Sequence, residues 1–334
     1  MSEEPALDPE RPIIDPHLHL WEIRRAPDAP QEPQRFLLDE LLATVAASGH
    51  TITHTVFVES HQMYRADGPA EIAPIGETEF ANGIAAMGAS GQYGPCRVAH
   101  RIVGSADLRL GVGVTAVLRA HVARAGERFR GIRMATAWSA AGLFGLPPDP
   151  SGAGILADPA FVEGARVLAA MDLSLDVWCL HSQLGELTAL AGAVPELTIV
   201  LDHIGSPEAG GRWGGDEPPV RAEWERGIAE LARCANVRVK LGGMGMNFSG
   251  PLASVPGPGT SEQLAGRWRP YVETCLAAFG AERAMFESNF PPDQAAATYG
   301  ATWNAFKRIA RDYAPADKDR LFRGTAAEVY RIAL

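Results

Sequence analysis

Short apolar runs that alternate with alanine- and leucine-rich segments are the feature that most constrains the fold of this chain. Eight runs have the composition of buried strands, and most are followed by a segment with helical spacing. The predicted strands are residues 13–20, 54–59, 101–108, 130–134, 173–180, 197–202, 237–241 and 283–287, and the predicted helices are 38–47, 116–125, one beginning at Asp158-Pro159, 184–193, 221–234, 295–313 and a last amphipathic segment, 317–334. Because strands connected through helices run parallel, this order predicts an α/β protein with a parallel sheet.

A parallel sheet with this many strands either stays open or closes into a barrel. A doubly wound open sheet usually has a glycine-rich turn after its first strand. Here the first strand instead runs into Asp15-Pro16-His17-Leu18-His19. We therefore predict a (β/α)8 TIM barrel, built as one domain over residues 13–334 after an N-terminal tail of residues 1–12. The length of 334 residues suits such a barrel.

Three predicted loops are long for a compact domain: residues 61–76, 135–154 and 242–262. Each follows a predicted strand, so in a barrel each would lie at the C-terminal face. That face carries the active site in TIM-barrel enzymes. The loops are therefore expected to cover an active site there.

The composition excludes several classes of partner. The net charge is −10 and no basic run occurs, which is unlike a nucleic-acid-binding protein. No apolar stretch approaches the roughly 20 residues needed to cross a bilayer. The acidic N-terminus is unlike a signal peptide, so we expect a cytoplasmic protein with reduced cysteines. A homo-oligomer is compatible with the sequence.

His17 and His19 are the first candidates for chemistry. They lie two residues apart on a predicted strand, so both side chains point to one face while Leu18 and Leu20 point to the other. Imidazoles at the mouth of a barrel are suitable ligands for zinc, iron, nickel or copper. A pair of histidines that is only hydrogen-bonded within the protein would give the same pattern.

Further motifs follow in the order expected of a known family. They are Asp15-Pro16-His17-Leu18-His19-Leu20-Trp21, Phe129-Arg130-Gly131-Ile132-Arg133, His181-Ser182-Gln183-Leu184, Leu201-Asp202-His203-Ile204-Gly205 and Phe286-Glu287-Ser288-Asn289-Phe290-Pro291. Together they resemble the amidohydrolase superfamily over nearly the whole chain. The resemblance is greatest to the amidohydrolase-related branch, which includes 2-pyrone-4,6-dicarboxylate lactonase, sugar-acid lactonases and aromatic-acid decarboxylases.

The resemblance implies roles for particular residues. His17, His19 and His181 correspond to histidines that can ligate one divalent ion, for which we expect Zn²⁺ or Mn²⁺. His203 corresponds to a histidine that orients or polarises the substrate. The family's acid at the end of strand eight accepts a proton from the attacking water. Some lactonases of this branch work without a metal, so metal-free catalysis is a second interpretation.

The end of strand eight departs from the family pattern. The family has Ser-Asp-aromatic-Pro, whereas this chain has Asn289 in place of the aspartate. An amide is not a general base near neutral pH and is a weaker metal ligand than a carboxylate. We expect Asn289 to hold water or substrate by hydrogen bonds. Glu287 or Asp293 would then take the proton, and Glu59 at the end of strand two is a third acid that could compensate.

Three residues are predicted to contact the substrate. Arg133, at the end of strand four, could clamp a carboxylate or enolate with its planar fork of donors, or pair with a neighbouring acid. Glu59 ends strand two at the same face, and Trp21 is expected to form pocket wall or core. Asp202, next to His203, is expected to point away from the barrel mouth.

These observations predict a hydrolase that acts on a small lactone or ester-like organic acid through an activated water. One alternative is a metal-dependent decarboxylase of a hydroxy-aromatic acid on the same barrel. The other is a barrel that has lost catalysis and binds a ligand, which Asn289 would permit.

Overall fold

The computed structural model describes residues 4–23, 34–143, 146–207, 218–246 and 259–334. Its main element is an eight-stranded parallel sheet whose strands follow the order of the chain. The strands are β1 (Ile13–Leu18), β4 (Ile52–Val58), β5 (Arg97–Gly104), β6 (Phe129–Ala135), β7 (Ser174–Trp178), β8 (Ile199–Leu201), β9 (Val237–Leu241) and β10 (Ala284–Phe286), and a separate antiparallel hairpin consists of β2 (Trp21–Ile23) and β3 (Gln34–Phe36).

The sheet closes between its first strand and the chain just beyond its last strand. Leu18 and Phe290 form a parallel bridge. The backbone amide of His19 donates to the Phe290 carbonyl at 2.8 Å, and that of Asn289 donates to the His17 carbonyl at 3.0 Å. The predicted TIM barrel is thus confirmed, and its closure places Asn289 directly beside His17.

Helices surround the barrel. They are α1 (Leu38–Ser48), α2 (Ile75–Ala89), α3 (Val114–Ala125), α4 (Pro159–Ala170), α5 (Leu184–Ala193), α6 (Pro218–Leu231), α7 (Ser261–Phe279), α8 (Tyr299–Ile309), α9 (Pro315–Asp319) and α10 (Thr325–Tyr330). The predicted bounds of α5 and β9 match the structure, and other bounds differ by a few residues. No prediction covered α7, which begins at the end of the predicted loop 242–262, or α2. The buried face of α2 consists largely of small residues such as Ala81, Ala85 and Gly88. Such a face gives little of the periodic contrast that indicates a helix.

Two apolar layers fill the molecule. The larger one lies between the strands and the surrounding helices and includes Leu18 and Leu20. A smaller cluster combines alternate residues of the strands, such as Ile14, Val200 and Met285, with Tyr330 of α10. Further toward the carboxyl ends of the strands, the inward positions are polar, and those positions form the candidate site.

The N-terminal tail lies against helix α8. The backbone amide of Leu7 donates to Asn304 Oδ1 at 2.7 Å, and Lys307 Nζ donates to the Asp8 carbonyl at 2.8 Å. Within the described residues, every helix is too short or too polar to cross a membrane. Of the predicted long loops, 61–76 contains a short 3-10 helix, 135–154 is described except for residues 144–145, and residues 247–258 of the third lie outside the described residues.

Candidate active site

His17 and His19 lie side by side at the end of β1, as their spacing predicts. Both rings are buried, and their Nε2 atoms are 3.3 Å apart. His19 Nδ1 is 2.8 Å from the Val58 carbonyl, which can only accept, so in the neutral ring Nδ1 holds the proton and Nε2 has the lone pair. Burial, together with the nearby Arg133 guanidinium, lowers the pKa of His19 to about 3. The ring is therefore neutral at physiological pH.

A histidine–carboxylate pair lies next to them. His203 Nδ1 and its backbone amide both lie within hydrogen-bond distance of Glu287 Oε1, at 2.7 and 3.2 Å. Burial lowers the pKa of His203, but the Glu287 carboxylate outweighs it, and the net pKa is raised. Burial raises the pKa of Glu287, but His203 and His17 more than offset it and bring the value to about 2. Glu287 is thus an anion that orients the His203 ring, a pairing that the sequence analysis did not predict.

A fully buried lysine, which the sequence analysis missed, lies below these histidines. Lys240 Nζ is 2.7 Å from Asp176 Oδ2, 3.0 Å from Asp202 Oδ1 and 3.0 Å from His17 Nδ1. Tyr330 OH donates to Asp176 Oδ2 at 2.6 Å. Burial lowers the pKa of Lys240, but the two carboxylates raise it above its usual value. The only sequence signal was a lysine that alternates with the apolar residues Val237, Val239 and Leu241 of β9.

Asp202 therefore does not point away from the site, and that prediction was wrong. Val200 of β8 points into the barrel, so alternation also turns Asp202 inward. Strand β8 ends at Leu201, and His203 adopts a left-handed backbone conformation with φ of 56°. This change of direction lets two consecutive side chains both reach the barrel interior.

Arg133 and Glu59 form a buried ion pair. Arg133 Nε is 2.5 Å from Glu59 Oε1, and Arg133 Nη2 donates to the Glu59 backbone carbonyl at 2.6 Å. Burial alone would lower the pKa of Arg133, but the nearby carboxylates, Glu59 first among them, outweigh burial and raise the net pKa. The guanidinium therefore stays charged. The structure thus shows the pairing of Arg133 with an acid, and contact with a substrate carboxylate or enolate stays a prediction.

Just after β10, the eighth strand of the barrel, Asn289 and Asp293 are hydrogen-bonded to each other. Asn289 Nδ2 donates to Asp293 Oδ1 at 2.7 Å, and the backbone amide of Gly245 donates to Asp293 Oδ2 at 2.8 Å. Burial raises the pKa of Asp293 to about 7. Both oxygens of this carboxyl group are occupied by protein donors, so Asp293 positions Asn289.

These elements surround a cavity of about 420 Å³. Its walls are formed by His19, Trp21, Ser60, His61, Arg133, Ala135, Trp178, His203, Met246, Asn289 and Pro292. Trp21 stacks on His19, with ring centroids 5.8 Å apart and planes 9° apart. Of the predicted residues, Trp21, His19, Arg133, His203 and Asn289 face this cavity, whereas Glu59 and Glu287 lie behind Arg133 and His203.

His181 lies just after β7, the fifth strand of the barrel, as predicted. Its backbone follows β7 and begins a short 3-10 helix, and its amide donates to the Ser206 carbonyl at 3.4 Å. Among the described residues, the cluster of three or more metal-binding side chains within 4.8 Å consists of His17, His203 and Glu287. His181 is not part of this cluster, and the set of His17, His19 and His181 as ligands of one ion stays a prediction.

The residues around His17 fit a divalent ion. Two nitrogens at about 2.0–2.1 Å from one tetrahedral ion would lie roughly 3.3 Å apart, which matches the separation of the two Nε2 atoms. A metal-bound histidine usually donates its other N–H to a carboxylate or carbonyl. His19 has the Val58 carbonyl for this, and His17 Nδ1 lies 2.9 Å from Glu287 Oε2, a buried oxygen without a hydrogen-bond partner among the described residues.

These histidines and carboxylates lie at the carboxyl ends of the barrel strands, the face that carries the active site in TIM-barrel enzymes. The sequence profile of the family described as Amidohydrolase matches residues 14–332. The chain belongs to this family, as the motifs predicted.

Three similar proteins extend the comparison. An uncharacterized protein, y4mH, of Sinorhizobium fredii is 31% identical to this chain, and the match covers 96% of this chain and 98% of the length of y4mH. An L-fucono-1,5-lactonase of Burkholderia ambifaria is 30% identical over 52% of this chain and 56% of its own. The crystal structure of a zinc-bound amidohydrolase from Burkholderia multivorans has a TM-score of 0.72 at 24% identity and covers 97% of this chain and 100% of its own. This last similarity supports the fold.

Proposed function

We propose that this protein hydrolyses a small lactone or ester-like organic acid by attack of a water molecule activated by His203. The observation that carries the proposal is the buried His203–Glu287 pair beside Arg133 at one cavity. The partial similarity to an L-fucono-1,5-lactonase supports the same reaction class.

His203 has the geometry of a general base. Its Nδ1 faces Glu287 Oε1, which leaves Nε2 as the ring nitrogen that can reach a ligand in the cavity. In its neutral form, Nε2 accepts a proton from the attacking water, and Glu287 stabilises the imidazolium that forms. This assignment differs from the prediction that Glu287 or Asp293 takes the proton directly, because both acids lie behind other residues.

Arg133 is placed to stabilise the negative charge that develops on the carbonyl oxygen. Its guanidinium faces the cavity and is held in one orientation by Glu59, so little reorganisation is needed during the reaction. Asn289 lies on the same wall and can hydrogen-bond the water or the substrate. When the ester bond breaks, protonated His203 can return its proton to the leaving alkoxide.

A divalent ion would be held by His17 and His19, and we propose Zn²⁺ or Mn²⁺. When bound, such an ion polarises the carbonyl and lowers the pKa of water.

The test is turnover with purified protein. Lactones should release acid, measured with a pH indicator, and His203→Gln should lower kcat by about 10²–10⁴-fold. His100→Gln is a matched control, because His100 is half-buried on β5 outside the cavity. Carbon dioxide from hydroxybenzoates without acid release from lactones would indicate the decarboxylase instead. Tight binding of an organic acid without any turnover would indicate a ligand-binding barrel.

A further inference from the structure

A second cavity adjoins the first. It has a volume of about 360 Å³ and shares two wall residues, Ala135 and Trp178, with the cavity at His203. Its other walls come mostly from residues 136–155, which connect β6 to α4. The proposed reaction needs only the first cavity, so the second is unexplained by the chemistry.

The wall of the second cavity is held in a defined shape. Gln183 is 3% exposed, and its Nε2 donates to the Thr136 carbonyl at 2.9 Å. Its Oε1 accepts from the backbone amides of Trp138 at 2.9 Å and Leu180 at 3.1 Å. Trp138 Nε1 in turn donates to the Asp149 carbonyl at 2.8 Å. These bonds hold Thr136, Trp138 and Asp149 in position at the wall of the cavity.

The lining is mainly apolar. It includes Met134, Ala137, Trp138, Leu143, Leu146, Pro147, Pro148 and Ile155. Leu146 is 67% exposed, so its side chain is accessible to a ligand that enters this cavity. The one basic side chain in the lining, Arg109, is paired with Asp107 through Nε and Nη2, so its charge is already compensated. The other polar side chains of the lining are already hydrogen-bonded within the protein: Thr136 Oγ1 donates to the Trp178 carbonyl, Ser139 Oγ accepts from the Ala141 amide, and Asp149 Oδ1 accepts from the Ser151 amide.

We infer that the second cavity binds an apolar arm of the substrate, whose carbonyl group lies in the first cavity. The inference rests on the proposed function and narrows its substrate class: a lactone with an alkyl or aryl substituent, rather than a polyhydroxylated sugar lactone. A sugar lactone would place hydroxyl groups against Leu146 and Pro147, where they would lose their hydrogen bonds with water.

The experiment compares γ-butyrolactone, γ-hexalactone and γ-nonalactone. Each buried methylene should raise kcat/KM by about fourfold until the cavity is filled. Leu146→Ser should lower kcat/KM for γ-nonalactone by about tenfold, and the loss should be smaller for γ-butyrolactone, which has no arm to bury. Val112→Ser is the matched control, since Val112 is also 67% exposed but lines neither cavity. Because Leu146 is exposed, its replacement should leave the fold intact.

A kcat/KM that does not rise with chain length would overturn the inference, as would an equal loss in both variants. If no lactone is hydrolysed, the proposed function fails separately. The cavity is then tested by tryptophan fluorescence with acetate, hexanoate and nonanoate, because Trp138 and Trp178 line it. Affinity that increases with chain length and falls in Leu146→Ser supports the apolar site, and affinity independent of length excludes it.

Discussion

Replacing Lys240 with methionine tests the charge arrangement inside the barrel. The ammonium group lies 2.7 Å from Asp176 Oδ2 and 3.0 Å from Asp202 Oδ1, and all three side chains are fully buried. Methionine has a similar volume but no charge, so two carboxylates would remain in the interior without their cation. Removing one partner of a buried ion pair costs about 3–5 kcal/mol. We therefore expect the free energy of unfolding to fall by about 4 kcal/mol.

The measurement is equilibrium unfolding in urea, followed by circular dichroism and by tryptophan fluorescence. The midpoint should fall, and the slope should stay unchanged, because the surface exposed on unfolding is the same. The double variant Lys240→Met/Asp176→Asn should recover part of the loss, because it removes one of the unpaired charges.

The pH dependence separates lost charge pairing from lost packing. Without Lys240, burial would raise the pKa of Asp176 and Asp202, so protonation in the folded state would relieve the repulsion at lower pH. The loss of stability in Lys240→Met should thus be smaller at pH 5 than at pH 8. A loss of less than about 1 kcal/mol, or an equal loss at both pH values, would refute this reasoning.

Four other predictions concern the site and the barrel around it. Glu287→Gln should lower kcat by about 10³–10⁴-fold, because an amide would no longer orient His203 or stabilise its imidazolium form. In the wild type, kcat/KM should rise with pH through a His203 pKa above 6.5, and a flat profile between pH 5 and 9 would contradict this. Burial raises the pKa of Asp15 from 3.8 to about 6. The protonated carboxyl group therefore stabilises the fold below pH 3.8, and this stabilisation is lost as the pH rises through 6. The free energy of unfolding of the wild type should decline by about 2–3 kcal/mol over this range, and urea unfolding of Asp15→Asn should lack the decline. Elemental analysis of protein purified without chelators should find about one equivalent of zinc or manganese, and His17→Ala/His19→Ala should lose it; a metal-free wild type with full activity would show that the two histidines only hydrogen-bond.

Sequence patterns predicted the fold better than the site. The strand–helix alternation is a local property, and it predicted all eight barrel strands, including the bounds of β9 at Val237–Leu241. Helix α2 was missed because its buried face lacks large apolar side chains. The Lys240 network was missed because its members come from separate strands, and a single inward lysine does not reveal its partners.

The histidines show why motif order alone did not define the cluster. His17 and His19 follow simple strand alternation, and their pairing was predicted. His203 joins His17 because the backbone after β8 takes a left-handed turn, which no spacing rule indicates. His181 lies at the corresponding end of β7 but outside the cluster of metal-binding side chains within the described residues.

The amide at position 289 is consistent with catalysis once its contacts are considered. Its Nδ2 is 2.7 Å from Asp293 Oδ1, so an aspartate at 289 would place two carboxylates in contact in a buried position. Such a pair must share a proton, whereas an amide donates to the carboxylate without a charge conflict. Asn289 and Asp293 therefore form a matched pair. In the proposed mechanism the His203–Glu287 pair provides the base, so the missing family aspartate would remove one route for the proton and leave another in place.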